Sequence, residues 1–251
     1  MTTAVLLSID NGIARITLNR PERLNAFNDE MAEGWAAAAQ AAAQSDDARA
    51  IIIDAAGRAF CAGGDVQAMA QMDERAGMIR ELAHRINDGI LALTESAKPV
   101  VAAAHGTTAG GGLGILLSSD YAVIGESSRV GSVYGGVGLT PDLSVSAQLA
   151  AAVGERRALQ LLLQERLLSA GEAVEWGLAA EKVADDKVGE RANEIAAFWA
   201  QNAHAYGEAK RLIRSRPERT FREQLAEEAS TIAVASESPE GDKRIRAFAS
   251  R

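Results

Sequence analysis

The sequence predicts an α/β fold, with a core of alternating strands and helices over residues 1–195 and a helical region over residues 196–251. Short apolar runs, glycine-rich loops and helix-forming stretches alternate three times before residue 155. Hydrophobic residues make up 47% of the chain and charged residues 24%, a balance that allows a large buried core. Beyond about residue 200 glycines become rare and charges frequent, a composition typical of amphipathic helices that pack on a core or on a neighbouring subunit.

The chain opens with a predicted β-hairpin over residues 4–19. Two apolar runs flank Asn11-Gly12, a pair that suits the positive φ angles of a type I′ turn. Strong helix formers over residues 29–45 then predict a helix. The short apolar run over residues 50–54 predicts a buried strand.

Three glycine-bearing loops separate the elements that follow. Gly63-Gly64 lies between the strand at 50–54 and a helix that we expect to open at Asp65. A helix at 74–96, a strand at 100–104, an apolar helix after Gly110-Gly111-Gly112, a strand at 121–125, a glycine-rich loop at 128–142 and a helix from about 143 complete the predicted core. The remainder is predicted to be mostly helical, with a capping box at Ser169 and Glu172.

Charge and cysteine content exclude several classes of partner. The 26 basic and 34 acidic residues give a net charge of −8, which disfavours binding to nucleic acid or to an anionic membrane. Cys61 is the single cysteine, and the three histidines lie far apart in sequence, so we expect neither a disulfide within the chain nor a metal site. No signal-like or membrane-spanning run is found, and we expect a cytoplasmic protein.

Two of the glycine loops could bind negative charge. Gly110-Gly111-Gly112 and Gly63-Gly64 each follow a strand and precede a helix, where exposed N–H groups could stabilise a phosphate or an oxyanion. Neither a G-x-G-x-x-G fingerprint nor a P-loop is completed, which disfavours nucleotide binding. Two junctions could aim two N–H groups at one carbonyl oxygen. Alternatively, the glycines serve only close helix packing and tight turns.

Asp142 is the strongest candidate for acid–base or nucleophilic chemistry. The loop around it is uncharged and could raise the pKa of its carboxyl group by desolvation, and Tyr134, eight positions earlier, could donate a hydrogen bond to it. The alternative is structural. Thr140 as N-cap, Pro141 at the first helical position and Asp142 in the first turn would all suit a helix start.

Several segments together resemble the enoyl-CoA hydratase/isomerase (crotonase) superfamily over nearly the whole chain. They are NRPERLNAF (19–27), AFCAGGDVQAM (59–69), KPVVAAAHGTTAGGGLGILLSSD (98–120), SSRVGSVYGGVGLTPD (127–142) and LLSAGEAVEWGLAAEKV (167–183). The resemblance implies a ββα-spiral core with a C-terminal helical trimerisation region, and homotrimers or dimers of trimers. It also implies an acyl-CoA thioester substrate, with coenzyme A as part of that substrate and no separate cofactor.

The resemblance assigns roles to individual residues. The two oxyanion donors of the family fall on the backbone N–H groups of Gly64 and Gly111. The stretches that line coenzyme A in the family correspond to Leu24, Asn25, Ala26, Ala62 and Asp65.

Departures from the family pattern bear on the reaction. Gly114 and Tyr134 stand where hydratases of the family carry two glutamates, so a conventional hydratase is disfavoured. Asp142, in a G-L-x-P-D stretch, matches the catalytic aspartate of certain enoyl-CoA isomerases, including ring-modifying ones of aromatic-acid degradation. We therefore expect a Δ3–Δ2 enoyl-CoA isomerase.

Two other functions stay open. The first is an acyl-CoA hydrolase or dehalogenase with Asp142 as nucleophile, although dehalogenases carry a Trp at the position of Tyr134 and a His at that of Asn87. The second is a non-catalytic acyl-CoA-binding subunit.

Overall fold

The computed structural model describes residues 3–250 and contains two β-sheets surrounded by helices. The larger sheet has six strands in the order β1-β2-β3-β4-β6-β9. Its strands are β1 (Val5–Asp10), β2 (Ile13–Leu18), β3 (Ala50–Ala55), β4 (Val100–Ala104), β6 (Tyr121–Gly125) and β9 (Glu181–Val183). β1 and β2 form the predicted hairpin, with Asn11 and Gly12 at φ angles of 50° and 79°. The remaining pairs in this sheet are parallel.

A second sheet of three short strands lies beside the glycine loops. It contains β5 (Thr107–Ala109), β7 (Arg129–Gly131) and β8 (Leu167–Ser169), in the order β5-β7-β8. β7 lies inside the stretch predicted as a loop, and β8 and β9 lie in the stretch predicted to be mostly helical. Strands of three residues are too short to show the alternation that identifies a strand from sequence.

Eleven α-helices occur within residues 3–250. They are α1 (Asp29–Gln44), α2 (Val66–Ala70), α3 (Arg75–Glu95), α4 (Gly111–Leu117), α5 (Val145–Val153), α6 (Glu155–Gln164), α7 (Ala170–Trp176), α8 (Val188–Ala200), α9 (Ala203–Arg214), α10 (Phe221–Glu237) and α11 (Pro239–Ala249). The helix bounds agree with the predictions for α1 and α3. The capping box at Ser169 and Glu172 starts α7, as predicted.

The central strands β3, β4 and β6 of the large sheet are buried on both faces, which is typical of parallel strands. Ile51 and Ile53 of β3 face a core that includes α1 and α3, whereas Ile52 faces α8. The predicted domain boundary at residue 195 falls inside α8, whose Ile195 and Ala196 are both buried in the same group of core residues as Ile52. The division into two domains stays a prediction.

The last helices carry large apolar side chains on their surface. They are Phe221, Leu225, Ile232 and Val234 of α10, with Ile245 and Phe248 of α11.

These elements confirm the predicted α/β core and the helical C-terminal region. The predicted trimerisation stays a prediction. Across residues 3–250, none of the helices is both long and apolar enough to span a membrane.

Candidate active site

An apolar cavity brings the predicted catalytic residues together. It is lined by Phe27, Ala62, Gly63, Gly64, Val66, Met69, Ile79, Leu82, Ala83, Ile86, Gly110, Gly111, Val133, Tyr134, Val137, Leu139, Asp142 and Leu143. Tyr134 and Asp142 are the titratable side chains in this lining. Any charge that forms inside the cavity therefore interacts mainly with these two groups and with the glycine N–H groups.

The backbone around Gly64 leaves its N–H group available. Phe27 and Gly64 form a parallel bridge, in which the Phe27 N–H donates to the Gly63 oxygen (2.8 Å) and the Asp65 N–H donates to the Phe27 oxygen (2.9 Å). In such a bridge the N–H of the middle residue points away from the partner strand. Within residues 3–250 no acceptor is found for the Gly64 N–H.

Gly111 presents its N–H group at the start of α4, whose first N–H groups have no partner inside the helix. No acceptor for it is found in the described part of the chain. Gly63 brings the two glycine loops into contact, because a Cβ atom at Gly63 would lie 3.2 Å from the Gly111 nitrogen. Gly64 and Gly111 thus line the same cavity, as two donors of one oxyanion site must.

Other glycines of the second loop serve packing, as the alternative reading expected. A Cβ atom at Gly112 would lie 2.3 Å from the Cys61 carbonyl oxygen, and one at Gly114 would lie 2.2 Å from the Leu143 carbonyl oxygen. α4 therefore sits directly on the backbone of its neighbours. The packing interpretation is confirmed for Gly112 and Gly114, and the oxyanion role of Gly111 stays a prediction.

Asp142 lies before a helix and not within its first turn. α5 begins at Val145, and its N-cap residue is Ser144, so the alternative with Thr140 as N-cap is wrong. Leu143 and Ser144 have positive φ angles, of 48° and 66°. These two residues form a left-handed turn that separates Asp142 from the first residue of the helix. The turn directs Asp142 into the cavity lining.

Tyr134 and Asp142 form the predicted pair. The Tyr134 hydroxyl donates to Asp142 Oδ1 at 2.7 Å. Desolvation raises the pKa of the Asp142 carboxyl group above its usual value, and the hydrogen bond from Tyr134 opposes this rise. Desolvation and the neighbouring carboxylate also raise the pKa of Tyr134, so the phenol stays a donor at neutral pH. A carboxylate with a raised pKa is suited to accept and return a proton.

The five residues predicted to line coenzyme A lie side by side. The Ala62 N–H donates to the Leu24 oxygen at 3.0 Å, which joins their two loops. Asn25 is fully buried, and its side-chain amide donates to the carbonyl oxygens of Ala56 and Ala59. Ala26 is also buried, whereas Leu24 and Ala62 keep part of their surface.

The Asp65 carboxylate is occupied by structural contacts. It accepts hydrogen bonds from Arg20 at 2.9 Å, from Arg23 at 3.1 Å and from the Ala68 N–H at 3.1 Å. Burial raises the pKa of Asp65, but these donors outweigh it and hold the pKa at about 2. Asp65 begins α2, as predicted, and connects it to the Leu24 loop. Its side chain thus positions the loop, and only its backbone could face a ligand.

Sequence reasoning missed the apolar wall of the cavity. Ile79, Leu82 and Ile86 come from one face of α3, and Val137 and Leu139 come from the loop after Tyr134. Ile79, Leu82 and Ile86 are spaced three and four residues apart, which is typical of the buried face of a helix. This spacing does not show that part of the face borders a cavity. Cys61 lies outside the lining and is fully buried; desolvation raises the pKa of its thiol to about 12, which disfavours a nucleophilic role.

A family model described as enoyl-CoA hydratase/isomerase matches residues 8–250. The chain belongs to the enoyl-CoA hydratase/isomerase family. The resemblance stated from the sequence is confirmed, and with it the crotonase-like fold. A solved structure from Mycobacterium abscessus, assigned to the same family, superimposes with a TM-score of 0.94 at 31% identity over 98% of this chain and 96% of its own.

Relatives of known name within the family differ in reaction. The 1,2-epoxyphenylacetyl-CoA isomerase of Escherichia coli is 31% identical over 99% of this chain and 96% of its own length. The 4-chlorobenzoyl coenzyme A dehalogenase-1 of an Arthrobacter species is 30% identical over 96% of this chain and 88% of its own. Other matches are named as enoyl-CoA hydratases or as an acyl-carrier-protein isomerase. Family membership therefore indicates an enzyme that processes acyl thioesters. Which of these reactions it catalyses depends on the residues of its own site.

Proposed function

We propose that the protein is an acyl-CoA isomerase that moves a double bond from Δ3 to Δ2, with Asp142 as the proton shuttle. The observation that carries the proposal is the composition of the cavity. One carboxylate, Asp142, lines it together with Gly64 and Gly111, and the remaining lining is apolar apart from Tyr134. A double-bond shift needs one base and one oxyanion site, and the composition of this cavity is compatible with both.

In the proposed reaction the thioester oxygen lies between the N–H groups of Gly64 and Gly111. Asp142 removes a proton from C2, and the electron pair of the C–H bond moves into the thioester carbonyl, which places negative charge on its oxygen. The resulting enolate is conjugated with the C3–C4 double bond, so it is a dienolate that can accept a proton at C4. The two N–H groups stabilise the negative charge on that oxygen. Asp142 then returns the same proton to C4, which leaves the double bond between C2 and C3 and regenerates the carboxylate.

The surroundings of Gly114 argue against hydration. Hydratases of the family, by the resemblance, use a glutamate at this position, but a Cβ atom here would lie 2.2 Å from the Leu143 carbonyl oxygen. A glutamate side chain cannot enter that space without moving the turn that carries Asp142. Similarity to the isomerase from E. coli over nearly the full length also favours isomerisation. The apolar lining suits an aliphatic or aromatic acyl group.

The test is an assay of purified protein with 3-hexenoyl-CoA and with crotonyl-CoA, monitored by conjugated-thioester absorbance and product mass. We expect conversion of 3-hexenoyl-CoA alone. Asp142→Asn should lower kcat by about 10²–10⁴-fold, because the amide cannot accept the proton, with little change in binding of the CoA ester. Asp47→Asn, at an exposed position, is the matched control and should retain wild-type rates.

The pH dependence gives a second criterion. Asp142 must be deprotonated to start the reaction, so kcat should fall as the pH drops through the pKa of this group. Because desolvation raises that pKa, the fall should occur at a higher pH than the ordinary value for aspartate. Near wild-type isomerisation by Asp142→Asn would contradict the assignment.

Similarity to the dehalogenase supports a second candidate, in which Asp142 attacks the substrate and forms an ester with it. Tyr134 and Asn87 stand where dehalogenases of the family carry Trp and His, which makes this candidate the weaker one. Mass spectrometry of rapidly quenched enzyme separates the two. A substrate adduct on Asp142 would indicate the nucleophilic route, whereas the isomerase forms none.

A third candidate is the acyl-CoA-binding subunit without activity. It predicts binding of both CoA esters, measured by calorimetry, without turnover of either.

For all three candidates we propose that two loops hold coenzyme A, mainly through backbone groups. One loop contains Leu24, Asn25 and Ala26, and the other contains Ala62 and Asp65. We also propose that no separate cofactor takes part.

We also propose a homotrimer, or a dimer of trimers, in the cytoplasm. The exposed apolar side chains of α10 and α11 favour assembly through the C-terminal helices. The single, buried cysteine is compatible with a reducing compartment.

A further inference from the structure

The position of Asp142 depends on an unfavourable backbone turn. Leu143 and Ser144, which follow it, both have positive φ angles, at 48° and 66°. Residues with a Cβ atom adopt this conformation only where surrounding contacts hold it. The contacts of these two residues therefore determine where the Asp142 carboxylate lies.

Leu143 is held by α4. Its side chain is buried, and a Cβ atom at Gly111 would lie 2.7 Å from Leu143 Cδ1. Its carbonyl oxygen lies against Gly114. The first half of the turn is therefore fixed by packing against the helix that also presents the Gly111 N–H.

Ser144 is held by Gln148, one turn further along α5. Gln148 Nε2 donates to Ser144 Oγ at 2.6 Å, and Gln148 Oε1 accepts from Arg214 Nη1 at 2.7 Å. A guanidinium can only donate, so the amide oxygen of Gln148 must face Arg214 and its nitrogen must face Ser144. Arg214 thus fixes the orientation of the amide that contacts the turn.

Arg214 is itself fixed by the end of α4. Its Nε and Nη2 donate to Asp120 Oδ1 at 3.2 and 3.0 Å, and Nη2 also donates to the Ser119 oxygen at 2.8 Å. The other oxygen of Asp120 accepts from the Val100 N–H at 2.9 Å and lies 3.1 Å from Lys210 Nζ. A continuous set of polar contacts therefore runs from the end of α4, through α9, to the turn beside Asp142.

We propose that Gln148, oriented by Arg214, is a positioning residue that holds Ser144 in its left-handed conformation and thereby keeps the Asp142 carboxylate on the Tyr134 hydroxyl. The proposal rests on the proposed role of Asp142 in proton transfer. It implies that Arg214 of α9 contributes to catalysis, although this residue lies outside the cavity and 66 positions along the chain from Gln148.

The test compares Gln148→Leu with Gln40→Leu, a matched change at an exposed position of α1. Three quantities are measured: kcat and KM for 3-hexenoyl-CoA, and the pKa of Asp142 by ¹³C NMR titration. The Asp142 resonance is identified by its absence in Asp142→Asn. We expect Gln148→Leu to lower kcat roughly 10- to 100-fold, as displaced catalytic groups do, with little change in KM.

The pKa readout separates positioning from a general loss of structure. Tyr134 is the other titratable side chain in the described cavity lining, and its hydrogen bond lowers the pKa of Asp142. If the turn relaxes, this bond lengthens and the pKa of Asp142 rises, as it should in Tyr134→Phe. Gln40→Leu should leave kcat, KM and the pKa of Asp142 unchanged. An unchanged Asp142 pKa in folded Gln148→Leu overturns the proposal, whatever happens to kcat.

A pair of variants at Ser144 tests the same idea without disturbing Arg214. Ser144→Ala removes the hydroxyl but keeps the Cβ atom, whereas Ser144→Gly removes the backbone penalty as well. We expect the larger loss of kcat and the larger rise of the Asp142 pKa in Ser144→Ala; equal effects would overturn the proposal. The titration needs no turnover, so a protein that fails to isomerise any CoA ester would refute the proposed function and still leave the positioning role open to this test.

Discussion

Gly114 lies on the face of α4 that contacts the Asp142–Ser144 turn, where a Cβ atom would lie 2.2 Å from the Leu143 carbonyl oxygen. Backbone atoms cannot move aside as the end of a long side chain can. At the scale of single residues, the glycine is therefore required for the turn to lie where it does, and its role does not depend on a positive φ angle.

Gly114→Ala should lower the free energy of unfolding by about 1–3 kcal/mol through overpacking, and should lower kcat because the Asp142 turn must shift. Gly171→Ala is the matched control, since both glycines lie in helices and nothing lies within 4 Å of a Cβ atom at Gly171. Urea denaturation measures the difference. Equal stability of the two variants would show that the Leu143 backbone yields.

Asp65 is the second residue whose role is structural. Its pKa is about 2 in the folded protein and 3.8 ordinarily, a difference that corresponds to about 2 kcal/mol of stability at neutral pH. Because the pKa is lowered on folding, this contribution is present above about pH 4 and is lost as the pH falls towards 2. Asp65→Asn should therefore be less stable than wild type at pH 7, and the gap should narrow at pH 3. Thermal unfolding at both pH values, with Asp47→Asn as control, measures this.

At the scale of elements, α3 forms one wall of the cavity. Ile79 is half-buried in the lining, whereas its neighbour Met78 is exposed and lies outside it. Ile79→Ala enlarges the cavity at modest cost to stability, because the side chain is not fully buried.

We expect Ile79→Ala to raise kcat/KM for longer or branched acyl-CoA esters relative to 3-hexenoyl-CoA by about 10-fold, the usual effect of one or two methylenes in an apolar pocket. Met78→Ala should leave that ratio unchanged. The ratio is obtained by direct competition between two substrates. If Ile79→Ala and Met78→Ala gave the same ratio of kcat/KM values, the wall formed by α3 would not contact the acyl group.

The elements also differ in how well local sequence predicts them. The hairpin and α1 were predicted with close bounds because a turn pair and strong helix formers act locally. The predicted start of α5 at about residue 143 lies close to the observed one, whereas the alternative start with Thr140 as N-cap was wrong, although Thr-Pro-Asp is a favourable helix start. Contacts of Leu143 with α4 and of Ser144 with Gln148 instead hold a left-handed turn there and delay the helix to Val145.

At the scale of the whole molecule, the C-terminal helices expose apolar side chains that the single chain does not cover. Ile232 of α10 is 71% exposed and Phe248 of α11 is 78% exposed. Several such side chains in one region are typical of a surface that another subunit covers.

Ile232→Asp should shift the protein from trimers or hexamers towards monomers, because a charge in an apolar interface loses its hydration without gaining a partner. Sedimentation velocity measures the distribution of species. Leu91→Asp, an exposed apolar position on α3 outside the C-terminal region, should leave the assembly intact. A wild-type protein that sediments as a monomer at micromolar concentration would refute the proposed trimer itself.

The sequence by itself determined the fold class, the family and the residues that could carry chemistry. Hydrophobic periodicity, turn pairs and glycine loops act over a few residues, so they can be read without a structure. The pairing of Tyr134 with Asp142 was also predictable, since the two lie eight positions apart in one uncharged loop.

Tertiary structure decided where each candidate lies and what it contacts. It showed that Gly112 and Gly114 pack against neighbouring backbone, that Gly64 and Gly111 line the cavity, and that the Asp65 carboxylate pairs with Arg20 and Arg23. It also brought Arg214 of α9 to Gln148 and so to the turn beside Asp142. These outcomes depend on contacts between residues tens of positions apart, whose geometry no local pattern encodes.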